Sequence, residues 1–209
     1  CPAVQTAEKS ASSWHEHWKV PVYFERNFFQ NASLMVSAPT TKQWAQEGRA
    51  SPRESWPSLF IGNTGTRTGL HVDYGSSHFW MLTIEGQKDW AIFPAQMSPF
   101  LYKDWAQPHF PVNPWALEKG VQRRPLSAAA RGFRATTKPG DVIFVPGGTV
   151  HAVRNTRSPT IGISMNYVDD TNLDAALSDL LALHRSAADR DLGKALQEVA
   201  EATAARHSK

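Results

Sequence analysis

Two short stretches, eighty positions apart, carry side chains that could hold a divalent metal. The first is His71-Val72-Asp73. The second is His151, which follows the run Pro139-Gly140-Asp141-Val142-Ile143-Phe144-Val145-Pro146-Gly147-Gly148-Thr149-Val150. Two imidazoles and one carboxylate form a facial ligand set that leaves positions open for exchangeable ligands. Such a set suits Fe(II) best, and Zn(II), Mn(II), Co(II) or Ni(II) could occupy it too. If residues 71–73 are a strand, His71 and Asp73 share one face and Val72 takes the other. A lone H-x-D is common by chance, and core histidines satisfied by hydrogen bonds are the plain alternative. The weight here comes from context: strands follow the motif, and the second histidine ends a strand bounded by Pro-Gly turns.

The elements that must position these residues are mostly short strands. The eight tryptophans and ten phenylalanines suit a β-rich core, and 41% apolar content is enough to bury one. From Ser58 onward, runs of β-branched and aromatic residues alternate with Gly, Ser and Asn. They predict eight strands: Ser58–Gly62, Leu70–Asp73, His78–Ile84, Lys88–Phe93, Gly132–Thr137, Val142–Val145, Thr149–Asn155 and Thr160–Val168. Glu85-Gly86-Gln87 is expected to be a tight hairpin. Val142–Val145, apolar throughout, is expected to be a central strand. Eight strands is the count of a double-sheet jelly roll. The fold class expected is therefore mainly β, a double-stranded β-helix with C-terminal α-helices. Its parts would be an N-terminal elaboration (1–57), a core (58–169) and a helical pair (170–209).

Outside the core the signals are weaker. Val20–Phe24 is expected to be a strand, Thr41–Glu47 a helical turn, and residues 14–19 a short helical piece. His15 and His17 would diverge on a helix, so that cluster is assigned to an exposed polar start. Residues 95–132 form a proline-rich insertion, and residues 95–138 hold seven Lys or Arg against two acids. In the tail, Leu173, Leu177, Leu180, Leu181 and His184 fall on one helical face, as do Leu192, Ala195, Leu196, Val199 and Thr203. Ser186-Ala187-Ala188-Asp189 between them has the form of a capping box. These helices are expected to pack on the core or to make a homodimer.

Composition excludes some classes. With one cysteine there is no internal disulfide and no cysteine-based zinc site. A net charge of +3 and a pI of about 9.1 fall short of a dedicated nucleic-acid binder. No run of about 18 apolar residues predicts a membrane span, and no signal peptide is visible. A cytoplasmic or nuclear location is the expectation.

The segments Gly65–Pro94 and Lys138–Asn166 together resemble the JmjC-type hydroxylases of the cupin superfamily, which include asparaginyl and lysyl hydroxylases. These are Fe(II)- and 2-oxoglutarate-dependent oxygenases that also consume O2. The resemblance implies His71, Asp73 and His151 as iron ligands. It implies Lys88, seventeen residues after His71, as the cation for the distal carboxylate of 2-oxoglutarate, with Thr68 adding a hydroxyl. Strict alternation puts Thr68 on the wrong face, so this role requires a β-bulge at Gly69. Ser164 and Asn166, which share a face of the last strand, are implied to line the site. Two departures stand out. Many relatives place an Asn on the strand after H-x-D, where His78–Thr83 offers none, leaving His78, Thr83 or a water in that role. They also use an N-terminal Tyr, for which Tyr23 is the one tyrosine before Tyr74. The implied substrate is a protein or peptide side chain. N-methyl-lysine demethylation, an RNA substrate favoured by the basic insertion, and a catalytically silent metal-binding cupin are the alternatives.

Overall fold

The computed structural model describes residues 20–30, 39–48, 57–103, 110–117, 121–182 and 185–207. The expected helical piece at 14–19 and the His15/His17 cluster lie outside them. Among the described residues six strands form: β1 (Ser58–Gly62), β2 (Arg67–His71), β3 (His78–Phe93), β4 (Phe133–Thr137), β5 (Val142–Val145) and β6 (Val150–Tyr167). Three α-helices accompany them: α1 (Pro39–Gln46), α2 (Leu173–Leu180) and α3 (Ala187–His207).

β3 and β6 are long because each serves two sheets. They pair antiparallel along their whole length, from His78 opposite Tyr167 to Phe93 opposite Val150. In one half the order is β1-β6-β3-β5, and in the other β2-β6-β3-β4. Residues 78–85 and 160–167 serve the first sheet; residues 88–93 and 150–155 serve the second. The result is a double-stranded β-helix, and the eight expected strands are eight segments of six strands.

The expected hairpin at Glu85-Gly86-Gln87 is therefore not a chain reversal. The ladder shifts register between Thr83 and Lys88, so β3 bends from one sheet into the other and keeps its direction. Gly86 sits at φ +78°, and a Cβ there would lie 2.3 Å from the Pro159 carbonyl oxygen. Both facts demand glycine at the bend. The bend also changes parity: Phe79 and Met81 face inward before it, Lys88 and Trp90 after it. Phe79, Met81, Trp90 and Val145 pack together between the sheets.

Two further expectations are corrected. β5 is an edge strand, paired among the described residues with β3 alone, and Val142 and Phe144 are 44% and 42% exposed. Its unbroken apolar run reflects partial cover from both sides: Phe24 stacks on Phe144 with centroids 5.9 Å apart and on Trp80 at 5.4 Å. The segment that carries Phe24 is in turn a 3-10 turn (Val22–Phe24) and not a strand. It has Pro21 at its start, which lacks a ladder donor, and it is anchored by its ring.

The other elements cover the outer faces. Among the described residues of 95–132 there are three 3-10 turns, Ala95–Leu101, Pro114–Ala116 and Pro125–Ala129. Leu101, Phe110, Val112 and Ala130 from this insertion pack on Leu70, Ala91, Phe93, Val150 and Ala152 of the second sheet. The tail helices pack on Phe28, Phe29, Trp44 and Val168 through Ala176, Leu180, Leu192, Ala195, Leu196 and Val199. Burying a leucine such as Leu180 or Leu196 completely is worth roughly 2–3 kcal/mol. The apolar faces that suggested a dimer are thus covered by the chain's own residues. The capping box is formed as expected, with Ser186 N donating to Asp189 Oδ2 at 3.2 Å and Asp189 N to Ser186 Oγ at 3.1 Å.

Candidate metal centre and its cavity

His71 ends β2 and His151 begins the second-sheet part of β6, and the two are direct cross-strand partners. Asp73 lies beyond the end of β2, but its backbone is extended (φ −64°, ψ 151°), so it keeps the parity of His71. Asp73 Oδ1 lies 3.8 Å from His71 Nε2, and Asp73 Oδ2 lies 3.8 Å from His151 Nε2. One donor atom from each residue lies within 4.8 Å of the other two, and this is the one such group of three or more among the described residues.

The donor set fits a divalent first-row metal. His71 Nδ1 lies 2.9 Å from the Gly69 carbonyl oxygen, and His151 Nδ1 lies 3.1 Å from that of Thr149. A carbonyl only accepts, so each Nδ1 carries the proton and each Nε2 presents a lone pair toward Asp73. Burial, then the neighbouring His71, pushes His151 down to about 3 against the opposing Thr149 carbonyl, so it stays neutral. Burial pushes the Asp73 carboxyl up to about 6, against the pull of His71 and a hydrogen bond from Asn166. A carboxyl raised by burial in this way is one that a bound cation would hold ionised.

A cavity of about 320 Å³ opens from these three residues between the two sheets. Thr68, His71, Asp73, Lys88, His151, Ser164 and Asn166 all line it. The bulge that Thr68 requires is present. From Thr68 to His71, β2 advances three residues while β6 advances two, from Val153 to His151. Ser164 is buried, and Asn166 Nδ2 donates to Ser77 Oγ at 2.9 Å.

Lys88 is 4% exposed and donates from Nζ to Asn155 Oδ1 at 2.9 Å. Among the described residues it forms no ion pair, and burial pushes its pKa down. A buried ammonium without a counter-charge is costly unless an anion joins it.

Other expectations fall outside the cavity. His78 Nε2 meets Thr171 Oγ1 at 3.0 Å, its Nδ1 accepts from Gly147 N at 2.8 Å, and its ring packs on Phe144 and Tyr167. Thr83 Oγ1 donates to Thr137 Oγ1 at 2.9 Å. Neither lines the cavity, nor does Tyr23, which is 86% exposed. None of the described residues in 95–138 lines it either. The residue that sequence reasoning missed is Asn155. Its signal was parity: His151, Val153 and Asn155 alternate along β6 onto one face.

Comparison with known proteins agrees with this arrangement. The chain is 25% identical over 161 residues to a zebrafish (Danio rerio) protein named 2-oxoglutarate and iron-dependent oxygenase JMJD4, covering 77% of this chain and 34% of the relative. It is 28% identical over 166 residues to the Arabidopsis thaliana arginine-specific demethylase JMJ22, covering 75% of this chain and 28% of the relative. It is 27% identical over 169 residues to bovine (Bos taurus) HSPB1-associated protein 1, covering 77% and 34%. The chain thus spans about a third of the length of these relatives. A family model described as a cupin-like domain matches residues 6–172, which take in both sheets, the metal-ligand cluster and Lys88. By that match, and by a double-stranded β-helix that places both imidazoles and the carboxylate at one end of its cavity, the chain belongs to the cupin-like domain family.

Proposed function

We propose that this chain is an Fe(II)- and 2-oxoglutarate-dependent oxygenase domain that hydroxylates a C–H bond of a protein side chain. The observation that carries the reading is the pairing, in one cavity, of a His-Asp-His donor group with a buried lysine that has no acidic partner among the described residues. Fe(II) with 2-oxoglutarate and O2 supplies oxidative decarboxylation of the keto acid, giving succinate and CO2, coupled to hydroxylation.

The chain's own residues bind, orient and shield. His71, Asp73 and His151 would hold the metal, with Nε2 of each imidazole and a carboxylate oxygen as the donors. The Gly69 and Thr149 carbonyls fix both imidazoles in the tautomer that can ligate. Lys88 would bind the distal carboxylate, and Thr68, which lines the same cavity, would add a hydroxyl to it. A divalent ion, the Asp73 carboxylate and the Lys88 ammonium leave the cavity two positive charges, which a dicarboxylate dianion cancels. Phe79, Met81, Trp90 and Val153 form an apolar wall that strengthens both attractions by excluding water. Asn166 bonds Asp73 and holds its carboxylate toward the histidines.

A protein substrate is supported by the relatives, whose names include arginine-specific demethylases and a protein associated with HSPB1. Removing an N-methyl group this way is the same hydroxylation aimed at the methyl carbon, so a demethylase differs in substrate and not in site. An RNA substrate is the second choice: the described apolar residues of the insertion, Leu101, Phe110, Val112 and Ala130, pack on the second sheet.

The test is anaerobic addition of Fe(II) and then 2-oxoglutarate to metal-free protein, followed by admission of O2. A visible charge-transfer band and slow succinate release without substrate are expected. Absence of both leaves the silent metal-binding cupin as the reading. Methylated and unmethylated peptide arrays then separate demethylation from side-chain hydroxylation.

A further inference from the structure

Lys88 is held by a relay of side chains that metal binding does not need. Its Nζ donates to Asn155 Oδ1 at 2.9 Å, Asn155 Nδ2 donates to Thr66 Oγ1 at 2.7 Å, and Thr66 Oγ1 donates to the Asn63 carbonyl at 2.7 Å. The backbone fastens the same residues, with Asn155 N donating to Thr66 O at 2.9 Å and Gly65 N to Asn155 O at 2.8 Å. An ammonium only donates, so Asn155 must turn its oxygen to Lys88 and its amino group to Thr66. The relay has one consistent direction.

Two features give the relay a purpose. A carboxylate at position 155 would grip Lys88 more strongly but would cancel its charge. The carboxamide holds the ammonium in place and leaves its full charge for a ligand. The second feature is Gly62, where a Cβ would lie 2.6 Å from Asn155 Nδ2 and 2.8 Å from Thr66 Oγ1. Only glycine at that position lets the Asn155–Thr66 bond close.

We infer that Asn155, locked by Thr66, is a positioning residue that aims the Lys88 ammonium at the end of the cavity remote from the metal ligands, and so governs binding of the co-substrate's distal carboxylate. The inference rests on the 2-oxoglutarate reading of this cavity. A lysine has several rotatable bonds, and the relay orders them before the ligand arrives, so binding does not have to.

The test uses the whole chain loaded with Mn(II) and kept free of oxygen, with binding measured by titration calorimetry. The ligands are 2-oxoglutarate and pyruvate, a keto acid without the distal carboxylate. Asn155→Ala is expected to weaken 2-oxoglutarate binding about tenfold, and Asn155→Asp about a hundredfold, the range for a hydrogen bond to a charged group and for a neutralised cation. Thr66→Val, which keeps the side-chain shape, is expected to weaken it about threefold. Mn(II) and pyruvate affinities stay at the wild-type level in all three. The inference is overturned if both Asn155 variants bind 2-oxoglutarate as wild type does while Lys88→Ala does not. It is also overturned if Mn(II) and pyruvate binding fall in parallel, which marks a merely structural role. If Lys88→Ala itself binds 2-oxoglutarate normally, the reading of the cavity fails and this inference falls with it.

Discussion

His71 and His151 face each other as cross-strand partners, their rings 4.2 Å apart between centroids, and each Nδ1 is tied to the carbonyl two residues before it in its own chain. The pair is therefore oriented by backbone, which a side-chain change elsewhere cannot easily disturb. Its one mutable component is the imidazole itself. His71→Gln and His151→Gln should each lower Mn(II) or Co(II) affinity by more than about a hundredfold while leaving the circular dichroism spectrum unchanged. Equilibrium dialysis checks this, and retained affinity in either variant would remove that residue from the ligand set.

The raised pKa of Asp73 makes a signed prediction about stability. Folded protein without metal holds the proton to about pH 6, whereas the unfolded chain loses it near 3.8. Between those values the unfolded state is the less protonated, so metal-free stability falls as pH rises through the window. The penalty is absent below pH 4 and complete above pH 6. Asp73→Asn should therefore stabilise metal-free protein at pH 7.5 by up to about 3 kcal/mol and have little effect at pH 4. Urea denaturation at the two pH values measures it. Added metal should raise the midpoint of wild type and not of the variant.

How far the sequence revealed this site depends on which facts were local. The parity of His71 and Asp73 was legible because the backbone is extended through Asp73 even after β2 ends. The bulge at Thr68 was legible as a requirement, since the hydroxyl could reach the cavity no other way. The Glu85-Gly86-Gln87 bend was not legible as a bend. Glycine there fits a hairpin equally well, and the distinction lies in the pairing of both flanks with β6, from Thr83 opposite Gly162 to Lys88 opposite Asn155. Val142–Val145 looked central because both of its faces are apolar. Its cover comes from Phe24, a contact that no periodicity announces. Asn155 carried no motif, and only the register that sets it opposite Lys88 gives it a role.

Lys88 gives up stability for binding. Its ammonium is buried, and in return it donates a hydrogen bond to Asn155 Oδ1. Lys88→Met keeps the length and fills the same space without a charge. In the absence of metal and co-substrate its unfolding free energy should lie within about 1 kcal/mol of wild type, since the desolvation relieved offsets the bond lost. Its affinity for 2-oxoglutarate should nevertheless fall by about a hundredfold or more. Chemical denaturation and calorimetry on one preparation check both halves. A large loss of stability would identify Lys88 as a structural residue.

Asp189 links the start of α3 to the metal-ligand loop. One of its oxygens accepts from Ser186 N in the capping box, and the other accepts from the hydroxyl of Tyr74, the residue after Asp73. Arg185 pairs with Asp179 at 2.6 Å, and Asp179 also meets Ser76 Oγ at 3.5 Å, so the helical tail grips residues 74–76 at two points. The two roles of Asp189 can be separated. Ser186→Ala removes half of the cap and should cost about 1 kcal/mol of stability with no change in metal affinity. Tyr74→Phe keeps the cap and frees the loop, so it should lower Mn(II) affinity about threefold to tenfold at a smaller stability cost. Asp189→Ala removes the other half of the cap, the bond from Ser186 N, together with the tie from Tyr74, so its Mn(II) affinity should match that of Tyr74→Phe while its stability cost exceeds that of Tyr74→Phe by about 1 kcal/mol. Thermal unfolding and Mn(II) titration on the three variants measure the two axes independently. Equal Mn(II) affinity in Tyr74→Phe and wild type would show that the tail supports the fold without holding the position of Asp73.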